Sequence, residues 1–347
     1  MLTNTEIVLL REELRTSKNP LFFYDSDADG LASFLLLYRI HREGKGVRVS
    51  TTSKIDASFL RKVEEINPDK ILVLDVPLME QDFADKAKRP IFWIDHHPPQ
   101  DVKKIHYFNP RTRDPEAYVP TTRMAYQVAQ NENDMWIAAA GCLGDWHMPD
   151  FIDEFIAKYP DLLPEKCDLA AALYQHPVGK LVKLFFFIQK GPNHEVKKSI
   201  SVLSKIKSPR EIFNQETTPG KFLFGRFEKI NAKYEEILGQ AKKKITKSKI
   251  IVFTYTSAQW SFTTNIANEL AALNPQKIII IAREKSGEMK ASLRAQFKII
   301  DAMEQALVGI EGYGGGHPNA CGAAIKKEDW DRFIQRFKEE LKNELVQ

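Results

Sequence analysis

The chain has 347 residues, 43% of them hydrophobic and 28% charged, with a net charge of +4. That is enough apolar material for two cored domains, and the slight basic excess admits an anionic substrate without requiring one. No apolar run reaches the roughly 18 residues of a membrane span, and acidic residues interrupt the hydrophobic N-terminal stretch where a secretory signal would continue. The three cysteines, Cys142, Cys167 and Cys321, are far apart and suggest neither a disulfide framework nor a thiolate zinc site. A cytoplasmic protein with no membrane association is expected.

An amphipathic helix is expected at Thr5 to Ser17, and after it apolar runs alternate with helical periodicity. LFFY precedes a helix over Leu31 to Arg42, VRVST one over Ala57 to Ile66, and ILVL one over Met79 to Ala87; IFWI follows. Alternation of this kind predicts βαβ units and a parallel sheet with helices on both faces. The strand ends carry the chemistry. LFFY stops at Asp25, ILVL at Asp75 and IFWI at Asp95, so three strands deliver acids to one carboxyl edge, where open α/β sheets bind ligands. Asp25, Asp27 and Asp29 alternate within DSDADG. Turns also use Asp, Ser and Gly, but carboxylates crowded from several directions call for a cation. His96 and His97 follow Asp95 and add imidazole donors, and the prolines behind them block continuation of the strand. An apolar helix over Asp134 to Leu143 brings Asp145 to the same place. The turn-rich segment Asn109 to Pro120 reads as a surface loop whose Arg111 and Arg113 face an anion, and His147 as an exposed loop residue.

From Phe151 to about Phe213 the pattern is helical, and LVKLFFFIQKG reads as a buried helix. Phe222 to Lys247 reads as one long charged helix, with its lysine runs on a solvated face. A second α/β pattern follows: the strand IIVFTY, a helix across Thr264 to Leu273, the strand KIIIIAR ending at Arg283, and the strand MKASLRA, which places Ser292 and Arg294 on one face. GYGGGHPNACG, Gly312 to Gly322, reads as a glycine-rich loop whose backbone amides approach an anion closely, with His317 as an added donor.

DSDADG, Asp75, DHH at Asp95 to His97 and GCLGDW together resemble, in order and spacing, the motifs of the DHH phosphoesterase superfamily, and GGGHPNACG resembles the GGGHxxAAG signature of the DHHA1 domain. The DxDxDG pattern is most similar to RecJ-like nucleases. The resemblance implies an N-terminal parallel-sheet DHH domain over 1–190, a helical connector over 191–247 and a smaller α/β DHHA1 domain over 248–347. It implies two divalent metals, manganese before magnesium, held by Asp27, Asp29, Asp75, His96 and Asp145, with Asp75 bridging and Asp25 either a ligand or a partner of one. It also implies that His97 faces the substrate phosphate, that Asp75 and His97 are catalytic, and that Gly315, Gly316, His317 and Arg294, with Ser292 and Arg283, bind substrate. The implied activity is exonucleolytic hydrolysis of single-stranded DNA or RNA, with very short oligonucleotides, adenosine 3',5'-bisphosphate or cyclic dinucleotides as alternatives. A silent scaffold for a replication or repair partner is disfavoured because every main ligand position is filled.

Overall fold

The computed structural model describes residues 1–49, 54–257 and 259–346, with side chains to residue 341. The end of the expected strand VRVST, at Ser50 and Thr51, lies outside these residues. The chain divides into two compact units, Met1–Phe227 and Glu228–Gln347. A long helix, Thr218–Lys242, runs through the boundary.

The first unit is built on a five-stranded, wholly parallel sheet of β1 (Leu21–Asp25), β2 (Lys45–Val49), β3 (Ile71–Leu74), β4 (Ile91–Ile94) and β5 (His106–Phe108), in the spatial order β2-β1-β3-β4-β5. Strands β1, β3 and β4 are buried on both faces, which is why their sequences are continuous apolar runs and not alternating ones. Phe23, Val73 and Trp93 pack on one face with Phe83, while on the other Phe22 and Tyr24 lie against Phe34 of the helix Ala28–His41. The chain turns from β1 to opposite sides of the sheet to reach β2 and β3, so a crevice opens at the carboxyl ends of β1 and β3.

Three helices close over that crevice: Ala28–His41, Thr121–Ala129 and Met135–Gly144. They approach closely because small residues meet at their crossings. A Cβ added at Gly141 would lie 2.2 Å from Thr122 Oγ1 and 2.6 Å from Ala32 Cβ. A buried ion pair ties them together, with Arg39 Nη2 2.9 Å from Asp134 Oδ1, while Arg39 Nη1 donates to the Ile206 carbonyl at 2.7 Å. Burial pushes the Asp134 carboxyl up and Arg39 pulls it back.

The second unit carries a mixed sheet of β6 (Ile250–Thr256), β7 (Ile278–Lys285), β8 (Glu288–Arg294), β9 (Gly312–His317) and β10 (Ala320–Lys326), ordered β9-β10-β8-β7-β6. Only β6 and β7 pair in parallel. Met289, Ala291 and Leu293 face a core with Met303, Phe333 and Phe337, and the opposite face meets the helix Thr263–Leu273. The glycine-rich stretch is not the loop its sequence suggests. It is the edge strand β9, turned back on β10 through Pro318 and Asn319, and the pairing partner downstream outweighs the low strand propensity of glycine. Among the described residues no helix is long and apolar enough to cross a membrane.

Replacing Arg39 with Met would strand the Asp134 carboxylate in the interior. Urea unfolding should show a loss of about 3 kcal/mol or more, whereas Arg15→Met, at an exposed i,i+3 pair, should change stability by less than about 1 kcal/mol.

Candidate metal centre

Each acid at the crevice is placed by its backbone. The Asp75 amide donates to the Ile94 carbonyl at 3.0 Å and the Asp95 amide to the Phe108 carbonyl at 3.1 Å, so each strand end is tied to the next strand. Asp75 has a φ of 61°, in the left-handed region that aspartate tolerates better than most residues. Asp27 caps the helix Ala28–His41, its Oδ1 accepting from the Gly30 amide at 2.9 Å. Glycine is required at position 30, where a Cβ would sit 2.5 Å from the Asp25 carbonyl oxygen. Asp29 is buried and accepts from the first two amides of the helix Thr121–Ala129, Thr121 N at 2.9 Å and Thr122 N at 2.6 Å. Those amides have no partner within their own helix, and the dipole there favours an anion.

His96 is the common vertex. Its Nε2 lies 3.3 Å from Asp75 Oδ1, 3.7 Å from Asp145 Oδ2 and 3.8 Å from Asp29 Oδ2. One ligand atom from each of Asp29, His96 and Asp145 falls within 4.8 Å of the others, and the same holds for Asp75, His96 and His97. Asp27 and Asp25 belong to neither trio. Asp27 reaches Asp75 through a side-chain hydrogen bond, and Asp25 acts on both electrostatically.

The electrostatics explain what the cluster needs. Burial, then repulsion from Asp25 and Asp29, pushes the Asp27 carboxyl up to about 7. Burial followed by repulsion from Asp29 and Asp27 raises Asp75 and Asp145 well above the usual carboxylate range. Among the described residues no lysine or arginine lies within ion-pair distance of Asp27, Asp29, Asp75 or Asp145. Hard carboxylate oxygens joined by imidazole, crowded and short of positive charge, fit divalent manganese or magnesium. His97 differs from His96. Burial works against its charged form, but its Nδ1, 2.8 Å from Asp95 Oδ1, and the pull of Asp95, Asp27 and Asp29 carry its pKa above the ordinary value. Asn109 fixes the His97 carbonyl at 2.9 Å and the Tyr107 hydroxyl at 2.8 Å.

Several participants carry no clear signal in the sequence. Thr121 contributes its amide to Asp29 and places its hydroxyl 3.3 Å from Asp75 Oδ1. The Tyr118 hydroxyl lies 2.8 Å from Asp145 Oδ2 and 2.7 Å from its carbonyl oxygen, and its ring meets His96 edge-on. Both fall in or beside a turn-rich stretch with no periodicity to mark them. Arg113 is not available to an anion as expected, because it pairs with Glu6 at 2.7 Å and donates to the Met1 carbonyl. Arg111 donates to the Pro115 carbonyl and exerts its charge on His96. His147 is half-buried, not exposed, with its ring 6.1 Å from that of Tyr118.

In the second unit, cross-strand register aligns Arg294, Ala320 and His317 in one row, and Ser292, Gly322 and Gly315 in the next. Arg294 donates to Asn268 Oδ1 at 2.7 Å and to the Cys321 carbonyl at 3.1 Å, and remains partly exposed. His317, Gly315 and Gly316 are exposed. Arg283 and Ser292 are buried: Arg283 donates to the Ser257 carbonyl at 2.8 Å, and the Ser292 and Thr264 hydroxyls lie 3.2 Å apart.

Residues 21–144 match the DHH family, N-terminal domain, and residues 247–343 match the DHHA1 domain. The chain belongs to the DHH/DHHA1 superfamily. Asp29, Asp75, His96 and His97 thus fall within the DHH match, Asp145 one residue beyond it, and the glycine-bearing edge strand within the DHHA1 match. RecJ from Thermus thermophilus in complex with Mn2+ is similar in fold, with a TM-score of 0.70 at 15% identity, over 96% of this chain and 54% of that one. The same protein with Mg2+ gives a TM-score of 0.61 at 16% identity, over 96% and 51%. CDC45 from Entamoeba histolytica gives 0.53 at 11% identity, over 97% and 98%. The chain therefore spans about half the length of that RecJ. No curated protein matches it in sequence.

Because Asp27, Asp75 and Asp145 have raised pKa values in the metal-free fold, that fold holds protons which the unfolded chain releases. This stabilisation is complete below the ordinary carboxylate pKa and is lost as pH rises through about 7 for Asp27. The melting temperature of chelator-treated protein should fall between about pH 5 and pH 8, and added Mn2+ should raise it most at the upper end.

Proposed function

We propose that this chain is a divalent-metal-dependent phosphodiesterase that hydrolyses single-stranded nucleic acid from an end. The observation that carries the reading is the convergence of Asp29, Asp75 and Asp145 on His96 Nε2 within 3.3 to 3.8 Å at the carboxyl edge of a parallel sheet. Asp27, Asp29, Asp75, His96 and Asp145 would hold the ions, Mn2+ before Mg2+. Bound there, the ions would supply Lewis acidity toward the phosphoryl oxygens.

The chain's own groups complete the site. His97, its pKa raised by the hydrogen bond and charge of Asp95 and its backbone held by Asn109, would donate to a phosphoryl oxygen as negative charge builds there. Tyr118 and Thr121 hold Asp145 and Asp75 in place, the supporting role that sets ligand orientation. In the DHHA1 domain Arg294, His317 and the accessible backbone at Gly315 and Gly316 would form a face suited to a phosphate. Ser292 and Arg283 lie on the same sheet face as Arg294 but are more deeply buried, so their part in binding would be smaller.

The resemblance of DSDADG to the motif of RecJ-like nucleases supports single strands as substrate, and the fold is shared with RecJ. Turnover of 5'- and 3'-labelled single-stranded DNA and RNA, a linear dinucleotide and a cyclic dinucleotide, with Mn2+, Mg2+ or chelator, tests the reading and assigns polarity. Shortening of the long strands from one end is expected. Exclusive cleavage of the dinucleotide would instead identify an enzyme of very short oligonucleotides, and a protein that binds no metal would identify a scaffold. Asp75→Asn should lower turnover by more than about a hundredfold, since losing even a partner of a metal ligand costs roughly 10–100-fold. Unchanged Mn2+-dependent turnover in a folded Asp75→Asn protein would overturn the assignment.

A further inference from the structure

Trp146 follows the ligand Asp145 directly, and it is exposed over 40% of its surface. The other four tryptophans are not: Trp93 and Trp136 are 0% exposed, Trp260 6% and Trp330 7%. In the first unit the exposed large hydrophobic residues, among those described, include two aromatics, Trp146 and Tyr118, and both adjoin Asp145, one through the chain and one through a 2.8 Å hydrogen bond. Scattered exposed side chains would have no reason to gather at one carboxylate.

The backbone reinforces the point. At the end of the helix Met135–Gly144 the chain folds back, with the Trp146 amide on the Leu143 carbonyl at 3.1 Å and the His147 amide on the Cys142 carbonyl at 2.9 Å. The turn requires a φ of 55° at Trp146, a conformation that costs a bulky side chain about 1 kcal/mol or more. A glycine there would relieve both that strain and the exposure. Tyr174 backs the indole, its ring centroid 6.2 Å away at 51°, which restricts the side chain without covering it. A large, rigid π-face held outward beside a charged site is what nucleobase stacking uses, and such stacking tolerates any base.

We propose that Trp146, backed by Tyr174 and bordered by Tyr118, is a nucleobase-stacking subsite next to the metal ligands, so that the enzyme grips the base belonging to the phosphate it cleaves. The subsite rests on the phosphodiesterase reading for the position of that phosphate. It accounts for discrimination between a nucleic acid and other phosphodiesters, which carboxylates and imidazoles alone do not supply.

Two measurements on the full chain with Mn2+ test it. The first is quenching of tryptophan emission by a short phosphorothioate-linked oligothymidylate, compared with the same backbone carrying abasic sites. Since the other tryptophans are buried, quenching by the base-bearing strand and not by the abasic one is expected, and it should disappear in Trp146→Phe. The second is kcat/KM on the corresponding phosphodiester strands. Trp146→Ala should reduce the ratio of base-bearing to abasic kcat/KM by roughly tenfold, with Trp146→Phe restoring most of it. Equal quenching by the two strands, or an unchanged ratio in Trp146→Ala, would overturn the subsite and leave the hydrolase reading intact. Base-selective quenching in a protein that hydrolyses neither strand would support the subsite and sink the hydrolase reading.

Discussion

The mutual repulsion of carboxylates gathered at one sheet edge is the constraint around which the first unit is arranged. Left to themselves, Asp27, Asp29, Asp75 and Asp145 would move apart or take up protons, and the fold prevents the first. Strand-to-strand amide bonds fix Asp75 and Asp95. Two helix amides grip Asp29, and the Tyr118 hydroxyl anchors Asp145. The amides at Asp29 and the hydroxyl at Asp145 donate hydrogen bonds but bring no full positive charge. A lysine or arginine in their place would quiet the repulsion and remove the affinity for a cation.

The sheet order makes such crowding possible. With successive connections leaving on opposite sides, the carboxyl ends of the neighbouring strands β1 and β3 lie at the point where the strand order reverses. Close helix packing does the rest. Gly144 lies against Ala28, where an added Cβ would come within 2.5 Å of the alanine Cβ, so the helix that delivers Asp145 can lie tight against the helix that begins at Asp27. A methyl group at that crossing would displace Asp145 from the other acids while leaving the chemistry of each intact.

The parts of this design that obey periodicity are legible in the sequence. Doubly buried strands must be apolar throughout, so Asp25, Asp75 and Asp95 stand out as interruptions, and the parallel sheet follows from the alternation of runs. The supporting groups obey no period. Tyr118 lies in a segment rich in proline and charge, and Thr121 acts through its backbone as much as its side chain, so neither residue type announces the role. Arg113 and Glu6 are paired across more than a hundred residues, a contact that only the folded chain brings together. The glycine run misleads for a related reason. Local propensity opposes a strand, and β9 exists because β10, further along the chain, provides its pairing edge.

That edge strand also separates two uses of glycine. At Gly312 and Gly316 a Cβ would lie 2.5 Å from the backbone of β10, so the fold itself demands glycine there. Gly315 is different. Nothing in the chain lies within 4 Å of where its Cβ would be, and its cross-strand partner Gly322 meets only an ordinary contact at 3.7 Å. Packing therefore leaves this pair unexplained, and strand stability argues against it, since glycine in a strand forgoes both entropy and side-chain contact. The pair leaves a bare stretch of backbone beside the row holding Arg294 and His317. Backbone left bare in this way is open to close approach, which a side chain at position 315 or 322 would obstruct.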